Sequence, residues 1–259
     1  MLDTIKKKIF LPLRKLPFIF DRFKKMSRLL GNTNEEYELL KEYKKGRDNI
    51  AILQIGANDG ISNDPVREFL VAGKGWYGYL IEPIPHLFDK LQKNYRGNKN
   101  VTLIQCAVSD KTGKANIYSF KKSELKVLPF YADQIASFDK EHLVKHFPGF
   151  ENIESLIEEI SVDTFTMAGL IDRYKIENAA VLIIDVEGHE KQLIETFPFS
   201  RIMPDIIVFE TLHTNDMDKA VIFSLLRKNG YLLYTSVFDT IAVSKELADM
   251  NWSKKYNPQ

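Results

Sequence analysis

The residues best suited to chemistry in this sequence are acids that end apolar runs. In "VLIIDVEGHE", Asp185 and Glu187 follow directly on a β-branched stretch, with Gly188, His189 and Glu190 behind them. A carboxylate so placed can take a proton from a bound hydroxyl. "FETLHTND" sets His213 three residues after Glu210, as a further base within reach. Asp185, Glu187 and His213 are therefore the candidate catalytic residues, and which of them takes the proton is left open. Glu187 and Glu190 stand around the start of a helix, where unpaired amides favour acids, so capping is the plainer role for Glu190. His189 occupies the variable position of the run and reads as a supporting or solvated residue. Asp185 and Glu187 lack a third ligand that spacing can place. His142 and His146 in "DKEHLVKHFPGF" share a helix face at i, i+4, a metal-ligand spacing, again without a placed third ligand. No metal site is assigned.

A second constellation lies nearer the N-terminus. "ILQIGANDG" ends an apolar run in Gly56 and Gly60, and Glu82 follows twenty-two residues after Gly60. Glycines there let backbone approach a ligand and adopt left-handed dihedrals. A carboxylate at the end of the second strand can accept hydrogen bonds from both hydroxyls of a ribose. A dinucleotide site uses G-x-G-x-x-G because a pyrophosphate rests on the helix N-terminus. Here the spacing is G-x-x-x-G, with Asn58 where the middle glycine would stand. This favours a ribose-bearing ligand without a phosphate, such as S-adenosyl-L-methionine.

These residues need a scaffold that brings strand ends together. From Asn49 the rhythm is strand, turn, helix: "IAILQIG", "WYGYLIEP", "NVTLIQCAV", "AAVLIIDVEG" and "PDIIVFE" read as strands. "DPVREFLVAG", "PHLFDKLQKNY", "EKQLIETF" and "DKAVIFSLLRKNG" read as helices. Continuous apolar strands alternating with helices predict a mostly parallel α/β sheet covered on both faces. "GYLLYTSVFDTIAVSK" predicts an antiparallel hairpin at the sheet edge. Ligands of such sheets sit beyond the carboxyl ends of the strands, where both constellations fall. Residues 33–45, "TNEEYELLKEYKK", predict a short helix with Thr33 as cap and Glu36 as its capping-box partner.

The chain divides near residue 50. Residues 1–30 carry nine basic side chains against two acids, interleaved with Ile5, Ile9, Phe10, Leu13, Phe18, Phe20 and Phe23. Residues 1–48 thus form a basic amphipathic helical arm, suited to an anionic membrane surface or a partner protein, or to packing on the main domain. Pro12 and Pro17 break any long helix there. Residues 49–259 form the main domain, and 121–160, rich in aromatics, is a lid over the site. The net charge of +1 gives no global pull toward nucleic acid. The single Cys106 excludes an internal disulfide and fits a reducing, cytoplasmic setting. No run is long and apolar enough to span a bilayer, and no signal-peptide pattern opens the chain. Nucleophile-elbow, phosphate-loop and H-E-x-x-H signatures are also lacking. The oligomeric state is left open.

"IGANDG", "IEPIPHLFDKL", "CAVSDKTG", "VDTF", "IIDVEGHEKQLI" and "PDIIVFE" together resemble the FkbM family of S-adenosylmethionine-dependent methyltransferases over roughly residues 50–243. The most specific piece is D-x-E-G-x-E, here Asp185, Glu187, Gly188 and Glu190. The resemblance implies a Rossmann-like class I methyltransferase fold, with a seven-stranded sheet that ends in an antiparallel strand. It also implies O-methylation of a hydroxyl, on a carbohydrate, glycan or glycolipid precursor. Carried over by position, Gly56, Ala57, Asn58 and Gly60 wrap the methionine and ribose side of the cofactor, Glu82 holds the ribose, and Gln105, Ala107 and Val108 flank the adenine. Asp185 faces the methyl group. Gln54 stands where such enzymes often place an acid, so the methionine ammonium falls to backbone carbonyls or Asp59. Two rival readings are a nicotinamide-dinucleotide oxidoreductase and a non-catalytic adapter in glycan assembly.

Overall fold

The computed structural model describes residues 35–62, 64–129, 131–212, 214–236, 239–256 and 258. The basic stretch 1–30, the cap Thr33 and His213 lie outside the described residues. The first described element is α1 (Glu35–Tyr43), which buries Leu39, Leu40 and Tyr43. It packs on the domain and is tied to the C-terminus. The Glu42 carboxylate accepts from Asn251 N (2.8 Å) and Trp252 N (2.9 Å) at the start of α8 (Asn251–Lys255), and the Tyr43 hydroxyl donates to Asp205.

The central sheet has seven strands. In chain order they are β1 (Ile50–Ile55), β2 (Trp76–Ile81), β3 (Val101–Ile104), β8 (Val181–Ile184), β9 (Ile206–Glu210), β10 (Tyr231–Thr235) and β11 (Asp239–Ser244). Their spatial order is β3-β2-β1-β8-β9-β11-β10. The first five run parallel, and β11 is antiparallel to both β9 and β10. The "GYLLYTSVFDTIAVSK" hairpin therefore forms that edge of the sheet, with its second strand slotted inward. Every residue of β1 is buried. It is flanked on both sides, Ile52 facing Gly78 on one and Val181 on the other, which is why it reads as an unbroken apolar run.

Helices cover both faces. One face packs Met167, Leu170 and Ile171 of α5 (Met167–Tyr174), Leu193 and Ile194 of α6 (Glu190–Glu195), and Ile222 and Leu226 of α7 (Asp216–Lys228). The other packs Leu39 and Leu40 of α1, Leu70 of α2 (Arg67–Ala72), Phe88 and Leu91 of α3 (Pro85–Asn94), and Trp252 of α8. The strand order reverses between β1 and β8, which places the crevice above Gly56 and Asp185.

Two stretches differ from the sequence expectation. "NVTLIQCAV" is not one strand: β3 ends at Ile104, and Ala107–Val108 form β4, which leaves the main sheet and pairs with β7 (Ile157–Phe165). The second sheet runs β4-β7-β5-β6, with β5 (Gly113–Phe120) and β6 (Ala136–Ser137). Residues 121–160 are more structured than a plain lid loop. They carry β6, α4 (Lys140–Lys145) and a core of their own, in which Leu143 and Phe147 pack on Phe120, Ile135 and Ile153.

Candidate functional site

A cavity opens at the carboxyl ends of β1, β2, β8 and β9, and residues of segment 121–160 line one side of it. Its wall includes Gln54, Gly56, Ala57 and Asn58 from the first turn, Glu82 from the second strand end, and Cys106, Ala107 and Val108 beyond β3. Asp185, Glu187 and Glu210 also line it, as do Gln134, Ser137 and Phe138 of segment 121–160.

The first turn is fixed by contacts that only some residues allow. Gly56 has φ +83°, and a Cβ there would fall 1.8 Å from the carbonyl oxygen of Asp185. Asn58 also takes a left-handed φ of +51°, which asparagine tolerates better than most residues. Its N–H donates to Glu82 Oε2 (2.8 Å), while Ile84 N–H donates to Glu82 Oε1 (2.8 Å). Each Glu82 oxygen keeps a lone pair for a ligand. Glu82 is only 4% exposed, and burial, reinforced by the Asp185 and Asp59 charges against the two backbone donors, pushes its pKa up to about 7.

Gln54, the unusual letter before the glycine turn, is 4% exposed, and its Oε1 is buried without a hydrogen-bond partner. A buried acceptor in that state costs about 1–3 kcal/mol, a cost that a donor on a bound ligand removes. Asp59, the other expected acceptor, is occupied elsewhere: its Oδ1 accepts from Ile61 N and Ser62 N, and its Oδ2 from Ser62 Oγ. Asp59 is also outside the cavity wall, as are Gly60 and Gln105. A Cβ on Gly60 would meet Leu91 Cδ1 at 2.5 Å, so this glycine lets the turn pack on α3. Gln105 is exposed, because the break after β3 turns it outward, and Cys106 takes the wall position instead. The sequence reading missed Cys106 for want of any signal that the strand stops at Ile104.

The D-x-E-G-x-E run folds back on itself. Glu190 Oε1 accepts from Val186 N and Gly188 N (both 3.2 Å), and Oε2 from Gly188 N (3.1 Å). Burial, opposed by the backbone N–H groups of Glu190 itself and Gly188 and helped by the Asp185 and Glu187 charges, raises its pKa to about 7. Glu190 thus clamps the turn, as its place at a helix start implied. The clamp holds Glu187 at φ +51° and Gly188 at +101°, with the Glu187 carboxylate 3.4 Å from His142 Nε2. His189 lies against Phe138, ring centroids 4.9 Å apart, and burial lowers its pKa.

Among the described residues, two groups bring metal-ligand atoms within 4.8 Å of one another: Asp185, Glu187 and Glu210, and His142, His146 and Glu187. The third ligands that spacing could not place are Glu210 and Glu187. Glu187 belongs to both groups. Burial holds the His146 imidazole below its ordinary pKa despite the opposing Glu187 charge.

The wall's electrostatics are one-sided. Glu36, Asp64, Glu82, Asp185, Glu187, Glu210 and Asp239 line the cavity, and no lysine or arginine does so among the described residues. A pyrophosphate would meet these seven carboxylates, whereas a sulfonium or ammonium group would be drawn in. No helix among the described residues is long and apolar enough to cross a membrane.

Comparison with known proteins gives a consistent picture. Residues 54–233 match the family model described as the methyltransferase FkbM domain. No curated protein matches. Among solved structures, similarity extends to a methyltransferase FkbM from Methylobacillus flagellatus KT, at 13% identity and TM-score 0.45, covering 76% of this chain and 43% of that one. It extends also to Aeropyrum pernix fibrillarin with natively bound S-adenosyl-L-methionine, at 12% identity, TM-score 0.42, and 81% and 76% coverage. A third is the precorrin-6y C5,15-methyltransferase of Geobacter metallireducens GS-15, at 13% identity, TM-score 0.41, and 81% and 87% coverage.

Proposed function

The chain belongs to the FkbM family of methyltransferases, with S-adenosylmethionine as methyl donor, and on that premise we propose that it methylates a neutral hydroxyl, on a carbohydrate or glycan precursor, inside the acid-lined cavity. The observation that carries this reading is the seven carboxylates on the wall, with no lysine or arginine lining it among the described residues. Such a wall suits a cationic donor and an uncharged acceptor, and it repels phosphorylated or carboxylated ones. It disfavours the nicotinamide-dinucleotide reading for the same reason.

The residues present fit the donor. Glu82, with a free lone pair on each oxygen, takes the ribose hydroxyls, and the buried Gln54 Oε1 takes the methionine ammonium that Asp59 is not placed to hold. Ala107 and Val108, buried at the wall beside Cys106, flank the adenine. S-adenosylmethionine supplies a methyl group on a positively charged sulfur. Bound there, it would give that methyl to the acceptor oxygen and leave as the neutral thioether, while the hydroxyl proton would go to a carboxylate of this chain. Asp185 at the tip of β8 is that base, with Glu187 and Glu210 beside it to hold the acceptor. Transfer removes the sulfur's charge, so the wall favours fresh donor over spent product. On the lid side Phe138 offers an aromatic face and Ser137 and Gln134 offer polar groups, a combination that suits a sugar ring.

The test is a transfer assay with deuterium-labelled methyl donor and paired acceptors, each neutral sugar set against its phosphate or uronate. Labelled methyl ether on neutral members only supports the reading. Labelled product from the anionic members, or donor turnover that methylates nitrogen or carbon, contradicts it. Unmodified sugars from the whole panel, with donor bound, would favour the adapter reading.

A further inference from the structure

Helix α4 and the turn after β8 meet through three ligand atoms. His142 Nε2 and His146 Nε2 stand 3.0 Å apart, and Glu187 Oε2 lies 3.4 Å from the first and 3.7 Å from the second. A tetrahedral ion bonded to nitrogen and oxygen at about 2.0–2.1 Å holds its ligand atoms about 3.3–3.4 Å apart. The observed triangle brackets that spacing. A hydrogen bond between the two neutral imidazoles engages the N–H of one Nε2 and the lone pair of the other, whereas a single cation takes a lone pair from each nitrogen and from the carboxylate at once.

The surroundings hold this triangle in place. Buried Leu143 and Phe147 anchor the histidine helix in the lid's core, and Gly188 lets the His142 ring lie against the turn, since a Cβ there would stand 3.2 Å from Nδ1. Ser137 Oγ donates to the Glu187 carbonyl oxygen (3.1 Å), a second tie between lid and turn at the same residue. The three side chains are between 15% and 20% exposed, enough for an ion to enter.

We propose that His142, His146 and Glu187 bind one divalent cation of the zinc class, which fastens the lid to the turn after β8. Two imidazoles and one carboxylate select zinc, cobalt or nickel over magnesium and calcium, which prefer all-oxygen sites. Three protein ligands leave a fourth position for water or for an oxygen of the acceptor. With the cation bound, Glu187 is committed as a ligand and Asp185 alone remains to take the hydroxyl proton. The binding claim stands apart from the methyl-transfer reading and is tested without turnover.

The experiment uses tag-free full-length protein stripped with chelator and titrated with Zn²⁺ against a chromophoric competitor, with Co²⁺ absorption as a second signal. One Zn²⁺ per chain is expected. His142→Ala and His146→Ala should each weaken binding by more than the roughly 10- to 100-fold that loss of a mere outer-shell partner costs, and Glu210→Gln should leave it unchanged. No stoichiometric Zn²⁺ would overturn the proposal. So would binding that survives both histidine changes and is lost in Glu210→Gln, which would move the ion to the acidic group. Should the histidine variants fail to fold, zinc-edge X-ray absorption on the unaltered protein reads the ligands directly: two imidazoles support the site and fewer overturn it. Binding of S-adenosylhomocysteine, followed in parallel, separates failure of this site from failure of the functional reading.

Discussion

A Cβ on Gly56 would stand 1.8 Å from the backbone carbonyl oxygen of Asp185. The turn after β1 and the turn after β8 are therefore one unit, further joined by Asp185 N donating to Ile55 O (3.0 Å). Gly56→Ala combines a positive φ with a backbone overlap, so it should lower stability by about 3 kcal/mol or more. Denaturant unfolding measures this. A loss no larger than that of an exposed Gly97→Ala would show that the two turns can separate.

Asp185→Asn keeps the shape of the turn and removes the base. Turnover should fall by about 10²- to 10⁴-fold, with the Kd for S-adenosylhomocysteine held within roughly tenfold. Calorimetry beside single-turnover rates checks the split. Equal losses in both would demote Asp185 to a structural role.

Glu82 titrates near 7 in the free protein, and its ionised form is the better acceptor for two ribose hydroxyls. Binding should therefore release up to one proton, and affinity should rise as pH increases through 7. 5′-Methylthioadenosine is the suitable probe, because it carries the ribose without a titrating ammonium. Glu82→Gln should weaken binding and flatten the profile. A pH-independent affinity in the unaltered protein would contradict the assignment.

Glu190 carries the same shift into stability. Its folded pKa of about 7 lies above its ordinary 4.5, so between those values the folded state binds the extra proton. The stability it contributes is fully present below about pH 4.5 and is lost as pH rises through 7, by about 3 kcal/mol for this one group. Glu190→Gln should reduce the slope of unfolding free energy against pH in that window. An unchanged slope would place the titration elsewhere.

Much of this was legible in the sequence because the physics was local. Apolar runs announced the parallel strands, most plainly β1, β8 and β9, and Gly56, Glu82 and Asp185 fell at their carboxyl ends, where open α/β sheets place ligands. Glu190 as a clamp followed from its position at a helix start. The rest depended on contacts between distant segments. Nothing near Gln105 signals that β3 stops at Ile104 and that Cys106 takes the wall position, because β4 is defined by its pairing with β7, some fifty residues on. Nor can spacing show that Glu187 meets His142 and His146, which stand some forty residues before it in the chain. Gln54 looked anomalous, and only the structure shows that its Oε1 is buried on the cavity wall without a hydrogen-bond partner.

The central claim is that the acid-lined cavity is the cofactor site, and calorimetric titration of S-adenosylhomocysteine into the purified protein tests it most directly. One site per chain is expected, in the micromolar range, strongly weakened by both Glu82→Ala and Gln54→Leu, with no heat from NAD. Binding that neither substitution affects, or no binding by protein that unfolds cooperatively, would contradict it.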